Sequence, residues 1–344
     1  MRRKNIIAIF LVVFTMMLSS FAFYTYQIIY TPNVLIEGQP TKITIPHGMS
    51  FGEFQTQLSK SRIVNDAVSF GFLSKLKELD KNLKPGMYQL QPDMTNVELI
   101  NLLRSGAQTP VNLTFSNARL LSQLPKKLAQ NLETDSAQMA SIVLSDTTAA
   151  HYGFKANTFI SMFIPNTYQV YWTDSPKMIL DRMKREYDAF WTEERLQKAK
   201  NLNMTPVEVS TLASIVQGET NKMDEAPTVA GVYINRLQRG IALQADPTLV
   251  FAMGDFTIRR ILNKDKKFES PYNTYKYRGL PPGPINMPSI AALDAVLNYQ
   301  EHSYLYFCAK EDFSGYHVFA KTLVEHNRNA RKFQRALNKE RIFR

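Results

Sequence analysis

One cysteine, Cys308, stands in 344 residues, so no internal disulfide can staple this chain and cysteine usage says nothing about its compartment. Histidine is scarce too. The five, at 47, 151, 302, 317 and 326, show no H-E-x-x-H spacing, which removes the usual zinc-hydrolase arrangement. There is no G-x-S-x-G nucleophile elbow and no phosphate-cradling glycine loop, so no metal and no cofactor is expected. The formal charge is +11, yet no block of five or six like charges accumulates. Spread in this way, the excess reads as solvated basic faces, with an anionic lipid or wall surface as the other reading. Finally, no charged residue at all occurs between Lys4 and Glu37.

That last absence organises the N-terminus. About twenty apolar residues cross a bilayer core as a helix, and Ile6 to Tyr26 has that length. Arg2, Arg3 and Lys4 precede it and hold residues 1–5 in the cytoplasm by the positive-inside rule, leaving the remainder outside. Phe21, Phe23, Tyr24, Tyr26 and Tyr30 suit an interfacial aromatic belt. The alternative is a cleaved signal peptide with Ser20-Phe21-Ala22 as its small-x-small site, although the apolar stretch runs on past it. Either reading exports the chain and disfavours nucleic acid as the partner.

With 44% hydrophobic residues, the exported part can bury more than one core. The pattern is α+β. Residues 27–40 read as a linker, and "TKITIP" alternates like a strand. Ser50 with Glu53, and Thr95 with Glu98, form capping boxes, and Gly106 is a helix stop. Val68 to Leu79 is an apolar-periodic helix, and "KPGMYQL" is a turn into a strand. Residues 41–106 are therefore a small α+β domain, with His47 a turn residue. Residues 107–200 read as a connecting α+β subdomain: "VNLTF" a strand, Arg119 to Leu132 a helix, "MFIPNTYQVYW" an aromatic cluster suited to core or to a sugar platform, and Lys177 to Trp191 an amphipathic helix. Residues 201–344 form the last domain.

The chemistry falls in that last domain. "TPVEVSTLASIVQGET" opens with Thr205 as cap, Pro206 at the first helical position and Glu208 at the third. Val209, Leu212, Ile215 or Val216 and then Glu219 share one face. Burial and the negative end of the helix dipole would both raise the Glu219 pKa. A carboxylic acid kept protonated near neutrality can give its proton to a leaving oxygen; the bland alternative is an ion-paired glutamate at the helix rim. Asp224 and Glu225 suit a helix start. Asp246 before Pro247 reads as a cap, with Gln244 on the same side of an extended approach. After a charged insertion, Arg259 to Glu269, comes "SPYNTYKYRGLPPGPINMPS", whose prolines and glycines fix a loop. Its "YNTY" mixes aromatic faces with neutral hydrogen-bonding groups, a mixture that suits a sugar or a well-made turn. Cys308 is expected in a buried strand, and His317 and His326 as structural residues.

Taken in order, "ASIVQGET", "VYINRL", "LQADPT", "YNTY", "GLPPGPINMPS" and the segment from "YLYFCA" to "EHN" resemble the endolytic murein transglycosylases of the YceG/MltG-like family. The match runs from about residue 205 to 327. The resemblance implies a transmembrane helix, a LysM-like domain at 41–106 and a larger α+β catalytic domain. It implies as substrate the glycan strands of peptidoglycan, cut between N-acetylmuramic acid and N-acetylglucosamine with formation of a 1,6-anhydro end. Glu219 would act as acid and then base, and Gln244, Tyr272, Asn273 and Thr274 would form the groove around it. Release of new strands beside peptidoglycan synthases is also implied. The family pattern commonly reads E-K-E-T, whereas Gln217 and Gly218 stand here, so no role for an earlier glutamate carries over. A hydrolase on the same fold would need a second carboxylate; Asp224, Glu225 and Asp246 are expected at helix starts instead. A non-catalytic wall-binding scaffold is the remaining alternative.

Overall fold

The computed structural model describes residues 2–36, 38–258 and 260–340. Met1 of the expected cytoplasmic tail, Glu37 of the expected linker, Arg259 at the head of the charged insertion and the last four residues of the expected C-terminal domain lie outside these. Two compact units emerge: residues 1–112 with 131–134 and 169–174, and residues 113–130, 135–168 and 175–344. Most of the stretch expected as a connecting subdomain falls in the second unit. The protein is mixed α and β with an apolar N-terminal helix.

In the first unit, α1 (Arg2–Tyr30) is followed by β1 (Thr41–Ile45), α2 (Phe51–Ser61), α3 (Ala67–Leu76), α4 (Leu79–Asn82), β2 (Gly86–Leu90) and α5 (Asn96–Ser105). β1 pairs antiparallel with β2, Ile43 opposite Tyr88. Alternate residues of both strands point inward, so Ile43, Ile45, Tyr88 and Leu90 are buried with Phe54, Leu58, Phe70, Leu99, Ile100 and Leu103. Each such side chain contributes about 1.5–3 kcal/mol on leaving water. Both expected capping boxes form, at Ser50/Glu53 and Thr95/Glu98, and Gly106 ends α5 in the left-handed region. α1 is long and apolar enough to cross a membrane, and no part of its apolar window is buried by protein. Its last turn differs: Ile28 is buried, and its carbonyl accepts from Asn96 Nδ2 at 3.0 Å.

β3 (Val111–Phe115) pairs with β4 (Asn166–Val170), and between them lie α6 (Leu124–Leu128), α7 (Ser136–Val143) and α8 (Asp146–His151). The helix expected over Arg119 to Leu132 is shorter: a 3-10 turn at Leu121–Gln123 leads into α6. Pro125 lacks the N–H that a continuous helix would need there. The aromatic cluster is core, with Met162, Phe163, Ile164 and Tyr168 all buried.

The rest of the second unit is α9 (Pro176–Phe190), α10 (Glu193–Asn201), α11 (Pro206–Glu219), α12 (Ala226–Gln238), α13 (Asp246–Met253), α14 (Ile290–Leu297), the antiparallel pair β5 (Tyr306–Ala309) and β6 (His317–Ala320), and α15 (Leu323–Lys339). α11 is its centre. The sequence predicts one apolar face, but every residue from Val209 to Val216 is buried, because α12, α13, α14 and the turn at Phe159–Met162 all pack against this helix. A helix buried all round tolerates Thr211 and Ser214 only if their hydroxyls are satisfied. They donate to the carbonyls of Val207 and Thr211 at 2.8 and 2.7 Å.

Candidate active site

α11 leaves the core at its last residue, and that residue is Glu219. The preceding turn is strapped to the proline-rich loop. Gln217 Nε2 donates to Asn286 Oδ1 at 3.1 Å, and Gln217 Oε1 accepts from the Ser289 N–H at 2.7 Å. Ser214 Oγ accepts from the Ile285 N–H at 3.0 Å. Gly218 faces α13: a Cβ there would lie 2.8 Å from Pro247 Cβ, so only hydrogen fits.

The Glu219 carboxyl is half-buried and receives the Tyr233 hydroxyl, from α12, on Oε1 at 2.7 Å. Burial pushes its pKa up to about 7; the Tyr233 bond opposes that rise, the neighbouring Asp246 charge adds to it and Arg236 opposes it. Tyr233 thus occupies one oxygen of the carboxyl. Replacing it with phenylalanine is expected to move the Glu219 pKa further up, because a bond favouring the charged form is lost. The alkaline limb of the kcat/KM profile should shift to higher pH, with kcat reduced by the loss of orientation. An unmoved limb would remove Tyr233 from the site.

Asp246 is a correction. The sequence predicts a helix cap there, but the cap position is Ala245, whose N–H donates to Thr274 Oγ1 at 3.0 Å. α13 begins one residue earlier than a cap-and-proline reading places it. The Asp246 carboxylate accepts from the Tyr275 hydroxyl instead. Asp224 and Glu225 do precede α12, and Glu225 lines neither of the cavities that Glu219 lines. It accepts from Thr220 Oγ1 at 2.7 Å and the His317 N–H at 3.0 Å, and lies 2.6 Å from His317 Nδ1. Asp224 accepts from the Tyr316 hydroxyl at 2.8 Å.

Two cavities meet at the acid, and both are lined by Glu219 and Asp246. One, of about 310 Å³, continues over Pro247, Phe251, Phe256, Ile285 and Asn286 to Arg119. The other, of about 410 Å³, runs past Tyr233, Arg236, Gln244 and Tyr275 to Tyr306, Cys308, His317 and His326. Arg236 is buried, with Nε donating to the Leu305 carbonyl at 2.6 Å and Nη1 to those of Leu243 and Ala242 at 2.8 and 3.1 Å. Cys308 lies in a strand as expected, but that strand is half-exposed on the cleft and not buried.

The expected groove residues divide. Gln244, held in the left-handed region, lines the second cavity. Tyr272 lines neither cavity itself but packs at a tilt against Phe251, a wall of the first, with ring centroids 4.8 Å apart. Asn273 and Thr274 are buried and line neither cavity. Asn273 Nδ2 donates to the carbonyls of Lys266 and Phe268, and its Oδ1 accepts from the Tyr275 N–H at 3.0 Å. Thr274 bonds Ala245 and Thr248. Both set the loop that presents Tyr275 and Gln244. Tyr233, Arg236 and Tyr275 join the site without being singled out by the sequence; the aromatic and basic positions of "VYINRL" and "YNTY" carry the only signal. Among the described residues no group of histidine, cysteine and carboxylate side chains could hold a metal ion.

A half-buried carboxyl with a pKa raised to about 7, lining two cavities, has the chemistry to give up and take back a proton near neutrality. The chain belongs to the YceG-like family, which it matches over residues 43–332. It is 28% identical over 314 residues to a Bacillus subtilis protein named endolytic murein transglycosylase, covering 87% of this chain and 86% of that one. A Streptococcus pneumoniae protein of the same name is 27% identical over 351 residues, which is 92% of this chain. The chain spans 63% of that streptococcal relative's length. The crystal structure of a YceG-like protein from Listeria monocytogenes is similar, with TM-score 0.54, 27% identity, and coverage of 84% of this chain and 98% of that one.

Proposed function

We propose that this chain is a membrane-anchored endolytic lytic transglycosylase that cuts peptidoglycan glycan strands between N-acetylmuramic acid and N-acetylglucosamine. One observation carries the reading: Glu219, the carboxyl raised to about 7, lines both cavities, so sugar units can lie on both sides of the bond it protonates. Glu219 first gives its proton to the leaving oxygen. The resulting carboxylate, poorly solvated and therefore more basic than an ordinary one, then takes the proton of the muramic acid C6 hydroxyl as that oxygen closes on C1. Tyr233 holds the other carboxyl oxygen throughout. Gln244, Tyr275 and the aromatic walls meet acetamido and hydroxyl groups, while Asn273 and Thr274 act through the loop backbone.

Residues 201–344 carry the catalysis and residues 107–200 connect it to a LysM-like domain at 41–106. That reading of 41–106 is supported by β1 pairing antiparallel with β2 across the intervening helices α2, α3 and α4. α1 is a retained anchor with its N-terminus in the cytoplasm; it continues unbroken past Ala22 to Tyr30. Held there, the enzyme meets nascent strands at high effective concentration, beside the synthases that extend them.

Asp246 favours a second reading. A hydrolase places its paired carboxylates roughly 5–5.5 Å apart if retaining or 6.5–9.5 Å if inverting, and Asp246 shares both cavities with Glu219. Mass spectrometry of digested glycan separates the two. Products one water lighter than the hydrolysed ends support the transglycosylase; reducing ends formed with uptake of labelled water support the hydrolase. Intact glycan, with binding retained, would leave only a scaffold.

A further inference from the structure

α3 presents apolar residues on opposite faces. Phe70 and Leu73 are buried in the core of the first unit, while Val68, Phe72 and Leu76 are 77%, 63% and 70% exposed. Those three are four residues apart, so they form one stripe along the outer face. At ten residues the helix is too short to span a bilayer. Three large apolar side chains in a row on water require a reason.

The neighbouring contacts supply one. Asn96 Nδ2 donates to the Ile28 carbonyl, at the end of α1, and to Ser69 Oγ of α3 at 3.2 Å. Asn33 Nδ2 donates to Asn96 Oδ1 at 2.6 Å and to the Asp66 carbonyl at 3.0 Å. Asn33 Oδ1 accepts the Asp66 N–H at 2.7 Å, and Asp66 caps α3 through the N–H groups of Val68 and Ser69. Asn33 and Asn96 are themselves buried. The end of the anchor is therefore bolted to the first turn of α3, not joined to it by a free tether. If Ile6 to Tyr26 fills the hydrocarbon, about 30 Å at 1.5 Å per residue, then Ile28 and the start of α3 sit at headgroup depth. Basic side chains border the stripe: Lys75 is exposed, and Arg104 Nη1 donates to the Lys77 carbonyl at 3.0 Å.

We propose that α3 lies in the outer headgroup layer, with Val68, Phe72 and Leu76 turned into the acyl boundary and Lys75, Lys77 and Arg104 at the level of anionic lipid phosphates. This rests on the reading of α1 as a retained anchor. It makes the anchor two-point: a spanning helix and an interfacial one, which fix the tilt of the first unit.

The test uses the full chain with Cys308→Ser and one cysteine at position 68, 72 or 76, labelled with an environment-sensitive fluorophore and reconstituted in vesicles containing phosphatidylglycerol. Flotation with the vesicles reports the anchor by itself; a chain that fails to float overturns that reading. In floating protein, all three labels are expected to emit in the blue, to lose most of their intensity to lipids spin-labelled near the top of the acyl chain, and to resist aqueous iodide. Iodide quenching without lipid quenching overturns the inference while leaving the anchor intact. Blue emission that neither quencher reaches means a protein covers the face, and overturns it too. Phe72→Asp should leave the thermal midpoint unchanged, because the position is exposed, and should bring the label at 76 within reach of iodide; a label at 76 that stays shielded there counts against the proposal.

Discussion

Glycan cleavage by a Glu219→Gln variant is expected to fall by about 10³-fold or more, since proton transfer by a placed side chain is worth roughly 10²–10⁴ and one carboxyl here serves both steps. Glutamine keeps the shape and can still accept the Tyr233 hydroxyl, so the loss would report the proton and not the packing. The same variant should be more stable than the parent, in a pH window fixed by the shift. Glu219 titrates near 7 in the fold against an ordinary value of 4.5. A group whose folded pKa is raised costs nothing below the unfolded value, where both states are protonated. The cost grows as pH rises from about 4.5 to 7 and is complete above that. Its ceiling is about 3 kcal/mol, less whatever solvent reaches the cleft. The thermal midpoint of Glu219→Gln should therefore match the parent near pH 4.5 and exceed it at pH 8. An active variant ends the mechanism; an inactive one with no gain at pH 8 means the acid is not held neutral by burial.

Arg236→Leu is expected to lower stability by about 2–4 kcal/mol, because its three bonds go to carbonyls that burial would leave unpaired. Lysine should not restore the loss, since a point charge cannot reach Leu305 on one side and Ala242 and Leu243 on the other. Activity should fall with it, because the carbonyls of Ala242 and Leu243 hold the segment that presents Gln244 and Asp246. Loss of the Arg236 charge also removes an attraction that favours ionised Glu219, so residual activity should extend to higher pH. Chemical denaturation and a pH–rate profile on the same preparation would read both effects. A fully stable leucine variant would show that these carbonyls find water instead.

The local rules in the sequence reach far. The capping boxes at Ser50, Thr95 and Thr205 form as their spacing predicts, because each is closed within a single turn. Glu219 is legible only in part: an apolar helix that ends on a carboxylate fits a buried acid and an ion-paired rim glutamate alike, and the resemblance of the surrounding motifs is what singles it out. What surrounds it is not legible. Tyr233, Arg236 and Tyr275 come from other elements, and only packing brings them to α11. Asp246 misleads because the cap position falls one residue earlier, on Ala245, which has no capping side chain and is held instead by Thr274 from a loop far along the chain. Asn273 and Thr274 look like ligand-binding groups since polar residues that pin a loop and polar residues that hold a sugar are the same residue types.

Gly218 lets one position serve as a gauge of cleft width. With hydrogen there, α13 presses Pro247 directly on α11, beside the acid. Any side chain at position 218 of this chain would meet Pro247, so α13 would have to stand back from the acid to admit it.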